Sequence, residues 1–209
     1  MATDQPIVPT RRPFKGSCHC AQTSYIIWLT LPHTPAAESA AIPGPQPFQA
    51  LYRCNCTVCQ KMGFFHMRVP FAPDDFLLLS PLNPLEALGN YQRGKKELSF
   101  LFCKNCGMRC MTFMGQSEVV EVDLGALGVG GQEEGKITEV WRPRREGWKE
   151  GKVNGCYLSV NGQSVEAGQE GFDLGQFVDN GWVLYCDYLE LNGPAKPQRY
   201  GKPHEYGTY

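Results

Sequence analysis

No stretch of the sequence stays apolar over the roughly 18 residues that a membrane-spanning helix needs. The opening segment MATDQPIVPTRRPF lacks the apolar core of a secretory signal. These two absences lead to the expectation of a cytoplasmic protein with no membrane partner. Charge of one sign is missing as well: the 209 residues sum to a net charge of −1, so the broad basic footprint of a nucleic-acid or anionic-membrane binder is not there. The one basic cluster, WRPRREGWKEGK from Trp141, is broken by acids and reads as a solvated loop. Long amphipathic helical periods are also lacking. What remains is a chain with 42% hydrophobic residues, enough to bury a core, and ten cysteines.

In a reducing compartment ten cysteines read first as metal ligands or catalytic thiols and only then as disulfides. Eight of them fall in three clusters: Cys18 and Cys20 in KGSCHC; Cys54, Cys56 and Cys59 in CNCTVCQK; Cys103, Cys106 and Cys110 in FCKNCGMRC. A C-x-C or C-x-x-C pair at a turn lets two sulfurs converge on one ion. Counting then allocates them. Cys18 and Cys20 with Cys103 and Cys106 supply four thiolates, a closed structural zinc site that staples the N-terminus to the middle of the chain. Cys54, Cys56 and Cys59 form a trio whose fourth position is left to water, substrate or one more side chain, as in a catalytic zinc site.

Short aromatic and β-branched runs fill the spaces between these clusters: TSYIIWLTL from Thr23, QALYRC from Gln49, FHMRVPF from Phe65, LSFLFC from Leu98 and EVVEVDL from Glu118. They predict a mostly β centre. PHTPAAESAAIPGPQPF, rich in proline and small residues, reads as an excursion loop, either a cover for substrate or a tolerated insertion. GALGVGGQEEGK reads as a linker or exposed loop. Beyond it CYLSVNG from Cys156 and WVLYCDYLEL from Trp182 read as strands, with a helical turn over DLGQFVDN started by Asp173 as N-cap. Cys156 and Cys186 sit in these runs and read as buried residues. PAKPQRYGKPHEYGTY has no periodicity; it is either disordered or pinned across the surface by its tyrosines.

The ordered set GSCHC, CNCTVCQK and FCKNCG resembles the glutathione-dependent formaldehyde-activating enzyme family, which includes the centromere protein V group. The resemblance covers roughly residues 14 to 128, and the longer tail is similar to that of extended fungal members. It implies a zinc domain over 14–128 with a C-terminal extension, 129–209, packed on it. The implied fold is an Mss4-like β-tent of small antiparallel sheets carrying zinc sites, followed by a β-rich extension. Carried over residue by residue, Cys18, Cys20, Cys103 and Cys106 match the structural zinc ligands, and Cys54, Cys56 and Cys59 the catalytic ones. His66, seven residues after the last cysteine of the trio, looks like the histidine of the centromere protein V branch. Two departures stand out. Ala21 replaces a common glycine after CHC, and Cys110 replaces an apolar residue, to be read as core or as a fourth ligand.

The activity implied is that of a carbon–sulfur lyase-type enzyme: a small-molecule thiol, glutathione as cosubstrate, adds to formaldehyde or a related aldehyde. His66 is the candidate to manage the proton, or else simply hydrogen-bonds within its strand. Thiols add to formaldehyde readily without a catalyst. A zinc enzyme of specialised metabolism acting as lyase, dehydratase or isomerase on a larger carbonyl substrate is therefore the second expectation. The third is a non-enzymatic zinc-stabilised binding module, in which Cys110 or His66 closes the trio.

Overall fold

The computed structural model describes residues 8–35, 48–189 and 198–208. Among these the chain is mostly β. Its strands are β1 (Thr10–Ser17), β2 (Ser24–Leu31), β3 (Ala50–Cys54), β4 (Phe65–Arg68), β5 (Phe76–Ser80), β6 (Gly89–Tyr91), β7 (Ser99–Phe102), β8 (Arg109–Met114), β9 (Ser117–Asp123), β10 (Ile137–Pro143), β11 (Tyr157–Asn161), β12 (Leu184–Cys186) and β13 (Arg199–Tyr200). Four helices of one or two turns intervene: α1 (Thr57–Lys61), α2 (Ala72–Asp75), α3 (Pro84–Ala87) and α4 (Leu174–Asp179). No helix among the described residues is long and apolar enough to cross a membrane.

Two sheets result. One has the order β1-β2-β5-β10-β9, the other β13-β12-β3-β4-β11-β8-β7-β6. The first shows how residue pattern sets layer. SYIIWLTL in β2 is apolar on both faces because both are covered. Tyr25, Ile27, Leu29 and Leu31 enter the main core between the sheets, while Ile26 and Trp28 point to a second cluster with Leu77, Leu124, Val129 and Val140. That split is the period of two expected of a central strand.

Of the two readings of GALGVGGQEEGK, linker or exposed loop, the second holds: the segment is a largely exposed loop that sends Val129 into this outer cluster. It connects β9 to β10, and it is anchored: Asp123 accepts hydrogen bonds from the amides of Ala126 and Gly135 at 2.9 and 2.6 Å. Leu124 and Val129 are buried beneath it. The basic cluster is corrected only in part: Arg144, Arg145, Lys149 and Lys152 are exposed as a solvated loop requires, but its start is a strand and Trp148 and Glu150 are buried. Arg142 lies in β10 and pairs with Glu118 at 2.9 Å, and the buried Trp148 donates its indole N–H to Glu150 at 2.7 Å.

The second sheet carries the chemistry. Its centre is β11, antiparallel to both β4 and β8; toward one edge β12 runs parallel to β3 and pairs antiparallel with the edge strand β13. Strands from both sides of the 128/129 division are thus neighbours in both sheets. The helical turn expected at Asp173 is α4, whose N-cap carboxylate accepts from the Gly175 amide at 2.8 Å. Residues 36–47, most of the proline-rich excursion, lie outside the described residues. At its borders Gln49 donates to Nδ1 of the buried His33 at 3.1 Å.

Candidate metal centres and cavity

Cys18 and Cys20 occupy the turn from β1 to β2, and Cys103 and Cys106 the turn from β7 to β8. All four sulfurs lie within 4.8 Å of one another. Cys18 to Cys20 measures 3.6 Å and Cys20 to Cys103 3.5 Å. A tetrahedron with metal–sulfur bonds of about 2.3 Å has sulfur–sulfur edges of about 3.8 Å, so this donor set fits a metal ion. None of the ten cysteines is in a disulfide. The two turns share a geometry: each closes with an amide donating back to the first cysteine's carbonyl, Ala21 to Cys18 and Gly107 to Cys103, both at 2.9 Å. The residue after the second cysteine is left-handed in both, with φ +59° at Ala21 and +74° at Gly107. Within this group the thiols are not alike: burial pushes that of Cys103 up to about 11. The Asn105 side chain, and then the Gln22 amide, hold the Cys20 thiol down at about 6.

Cys54, Cys56 and Cys59 form the second cluster, again within 4.8 Å of one another. Three local structures bring them together: Cys54 ends β3, Cys56 is the N-cap residue of α1, and Cys59 lies inside α1, turned to the core. The Cys56 amide donates to Cys54 Sγ at 3.3 Å. Hydrogen bonds from the Cys54 and Cys59 thiols stabilise the Cys56 thiolate and depress its pKa, whereas the same pairing raises that of Cys54. Asn55 locks the loop from outside. Its amide donates to Asp187 and to the Glu205 carbonyl, and its oxygen accepts from the Tyr188 amide at 2.7 Å. Gln60 likewise donates to the Tyr206 carbonyl at 2.7 Å. The described part of the C-terminal tail is therefore pinned against this loop, by backbone more than by tyrosine rings.

The trio opens onto a cavity of about 390 Å³. Its walls include Tyr52, Leu98, Phe100, Thr112, Tyr157 and Tyr188, with the cations Arg93 and Lys152. Motif reading did not find these residues. Lys152 ends the basic cluster dismissed as solvated, and Tyr52 and Tyr157 were read only as strand aromatics. Behind the walls are two buried guanidinium groups, Arg68 over the Tyr157 ring and Arg109 against Phe64 and Phe100. The hydroxyls of Tyr52 and Tyr157 hydrogen-bond to each other.

His66 is brought to the trio. In β4 it faces Tyr52 of β3, whose ring stacks on the imidazole at 4.3 Å. Nε2 lies 3.1 Å from Cys59 Sγ, and Nδ1 lies 2.9 Å from Ser159 Oγ. Burial, reinforced by the Arg109 charge, holds the imidazole well below its ordinary range and keeps it neutral. Both ring nitrogens are thus engaged. Cys110 goes elsewhere: it is buried at 2% exposure in the main core, and its charged neighbours are Cys18, Cys106 and Cys103. Cys186 is buried beside Cys54 in the β3–β12 register, and Cys156 packs on the main core.

No family model matches the chain, and no curated protein matches it. A crystal structure of a Rhodobacter sphaeroides protein, a structural-genomics target, aligns with 78% of this chain and 94% of its own at 16% identity and a TM-score of 0.39. A likeness that loose bears on neither the site nor its chemistry.

Proposed function

We propose that this protein is a zinc enzyme of the carbon–sulfur lyase type, resembling those that add the thiol of glutathione to formaldehyde or a related aldehyde. One observation carries the reading: of two metal-ready thiol clusters, one has four sulfurs and the other has three and opens onto a cavity. Zinc held by Cys54, Cys56 and Cys59 would supply an anchor for a cosubstrate thiolate and Lewis acidity toward a carbonyl. In the reaction the thiol gives up its proton, a sulfur–carbon bond forms, and the carbonyl π pair moves to oxygen, which takes up the proton.

The expected role of His66 takes a particular form here. With Nδ1 accepting from Ser159, Nε2 carries the proton and donates it to Cys59, which orients that ligand and moderates its charge. The hydroxyl pair of Tyr52 and Tyr157 lines the same cavity and offers an exchangeable proton to a nascent oxyanion. The cavity volume favours a second reading alongside the first. About 390 Å³ has to take glutathione as well as formaldehyde in the first reading, and the same space with its aromatic walls also suits a larger carbonyl substrate, as in specialised metabolism. Of the two side chains that could close the trio in a non-enzymatic module, Cys110 is buried in the main core away from it, which leaves His66, with Nε2 3.1 Å from Cys59 Sγ, as the residue on which that reading rests.

The test is zinc per chain by elemental analysis on freshly reduced protein, followed by X-ray absorption at the zinc edge during a glutathione titration. Two zinc ions, one of which gains a sulfur ligand, is the expected result. Two ions indifferent to glutathione would transfer the assignment to the larger carbonyl, and a single closed ion would overturn the enzyme reading.

A further inference from the structure

The cavity beside the trio has an unbalanced lining. Arg93 and Lys152 both face it, and no aspartate or glutamate is among its lining residues. This is a local excess, because the chain as a whole carries a net charge of −1. Neither residue is in an ion pair among the described residues. Lys152 holds its ammonium 4.6 Å from the centre of the Tyr157 ring, on the aromatic wall.

The cations could instead be there to offset the thiolates. Three thiolates around a divalent ion leave about one negative charge, and Arg109, buried against Cys59, already answers it. Arg68 is answered by Glu150 at 3.6 Å. Lys152 and Arg93 are left over. A third observation points the same way. Thr112 is 1% exposed and lines the cavity, yet its Oγ1 has no hydrogen-bond partner. A buried hydroxyl without an acceptor is costly unless a ligand supplies one.

We propose that the cavity holds its ligand by a carboxylate, received by Lys152 and Arg93 and completed by the Thr112 hydroxyl as donor, with the organic body against Tyr52, Phe100 and Tyr157. This names the substrate class for the site assigned above and rests on that reading only for where the chemistry happens. Lys152 lies outside the stretch 14–128 that carries the family resemblance, so the extension contributes one of the two cations, while Arg93 and Thr112 come from within that stretch.

The test compares benzoate with benzamide, its neutral isostere, by isothermal titration on the full-length, metal-loaded protein. Benzoate should bind about tenfold or more tightly than benzamide. Lys152→Gln and Arg93→Gln should each remove most of that advantage while leaving benzamide unchanged. Thr112→Val should weaken benzoate several-fold without lowering the melting temperature, because it deletes a hydroxyl that has no partner in the ligand-free protein. Equal affinities for the two probes would overturn the proposal, as would benzoate binding that survives both charge substitutions. Neither result depends on a thiol reaching the metal. Failure here and failure of the glutathione titration are therefore separate outcomes.

Discussion

Ala21 is the one residue in either cysteine turn whose side chain works against the backbone it occupies. At φ +59° it pays a steric penalty that Gly107 avoids at the equivalent place in the other turn. Ala21→Gly should therefore raise stability by up to about 1 kcal/mol, read as a higher urea midpoint at unchanged slope; a lower midpoint would show that the turn is not strained. His33 carries a second residue-level expectation. Its Nδ1 accepts from Gln49, whose own oxygen accepts from the Thr30 amide at 2.9 Å, so the amide cannot turn to greet a proton. Burial holds His33 down at about 4. Since the unfolded chain takes the proton near pH 6.5, the stability tied to a neutral His33 is complete above that pH. It is lost as pH falls toward about 4. Melting temperatures at pH 7.5 and 4.5 should differ less in His33→Leu than in the parent, and an identical drop in both would sink the assignment.

Among the elements, α4 was legible because Asp173 announces it chemically, and the cap is present. Asp173→Ala should cost about 1 kcal/mol in denaturant unfolding, since α4 buries Phe177 completely. A loss near zero would mean that Phe177 alone holds the turn. The runs read as strands, among them those of β2, β3, β4, β7 and β9, are strands, but β5 was missed although FLLLS is nearly all apolar, because it follows PFAPDD with no turn signal of its own. β8 was hidden because RCMTFM follows directly on a cysteine motif that claimed attention first. β10 was hidden because ITEVWRP alternates charged and apolar residues inside what looked like a surface stretch, though its partners β5 and β9 bury Val140 and Trp141. Ligand sets could be found because sulfur spacing is local. The cavity could not, since Tyr52, Arg93, Thr112 and Lys152 come from four separated segments that only sheet order brings together.

Across the whole molecule the two cysteine groups are wired differently. The four-thiol group ties the β1–β2 turn to the β7–β8 turn, one from each sheet, so a metal held there would cross-link the two layers. The trio lies within a single loop of the second sheet. Cys103→Ser should accordingly lower the melting temperature severely or prevent folding, whereas Cys56→Ser should leave a folded protein that no longer processes substrate. Thermal melts and zinc content of the two variants check this; equal losses of stability would erase the distinction between a structural and a reactive centre.

The place of β11 between β4 and β8 has a consequence in time. Both neighbours are synthesised well before it, and each waits with one edge unpaired until Asn161 has been added. At about 5–20 residues per second, the interval from Cys59 to Asn161 lasts roughly 5–20 s. For nearly all of it the nascent chain presents its three clustered thiols with no Lys152 or Tyr157 yet made to wall them in. The order of translation itself thus leaves this cluster open to oxidants, or to an early metal, before the cavity around it exists.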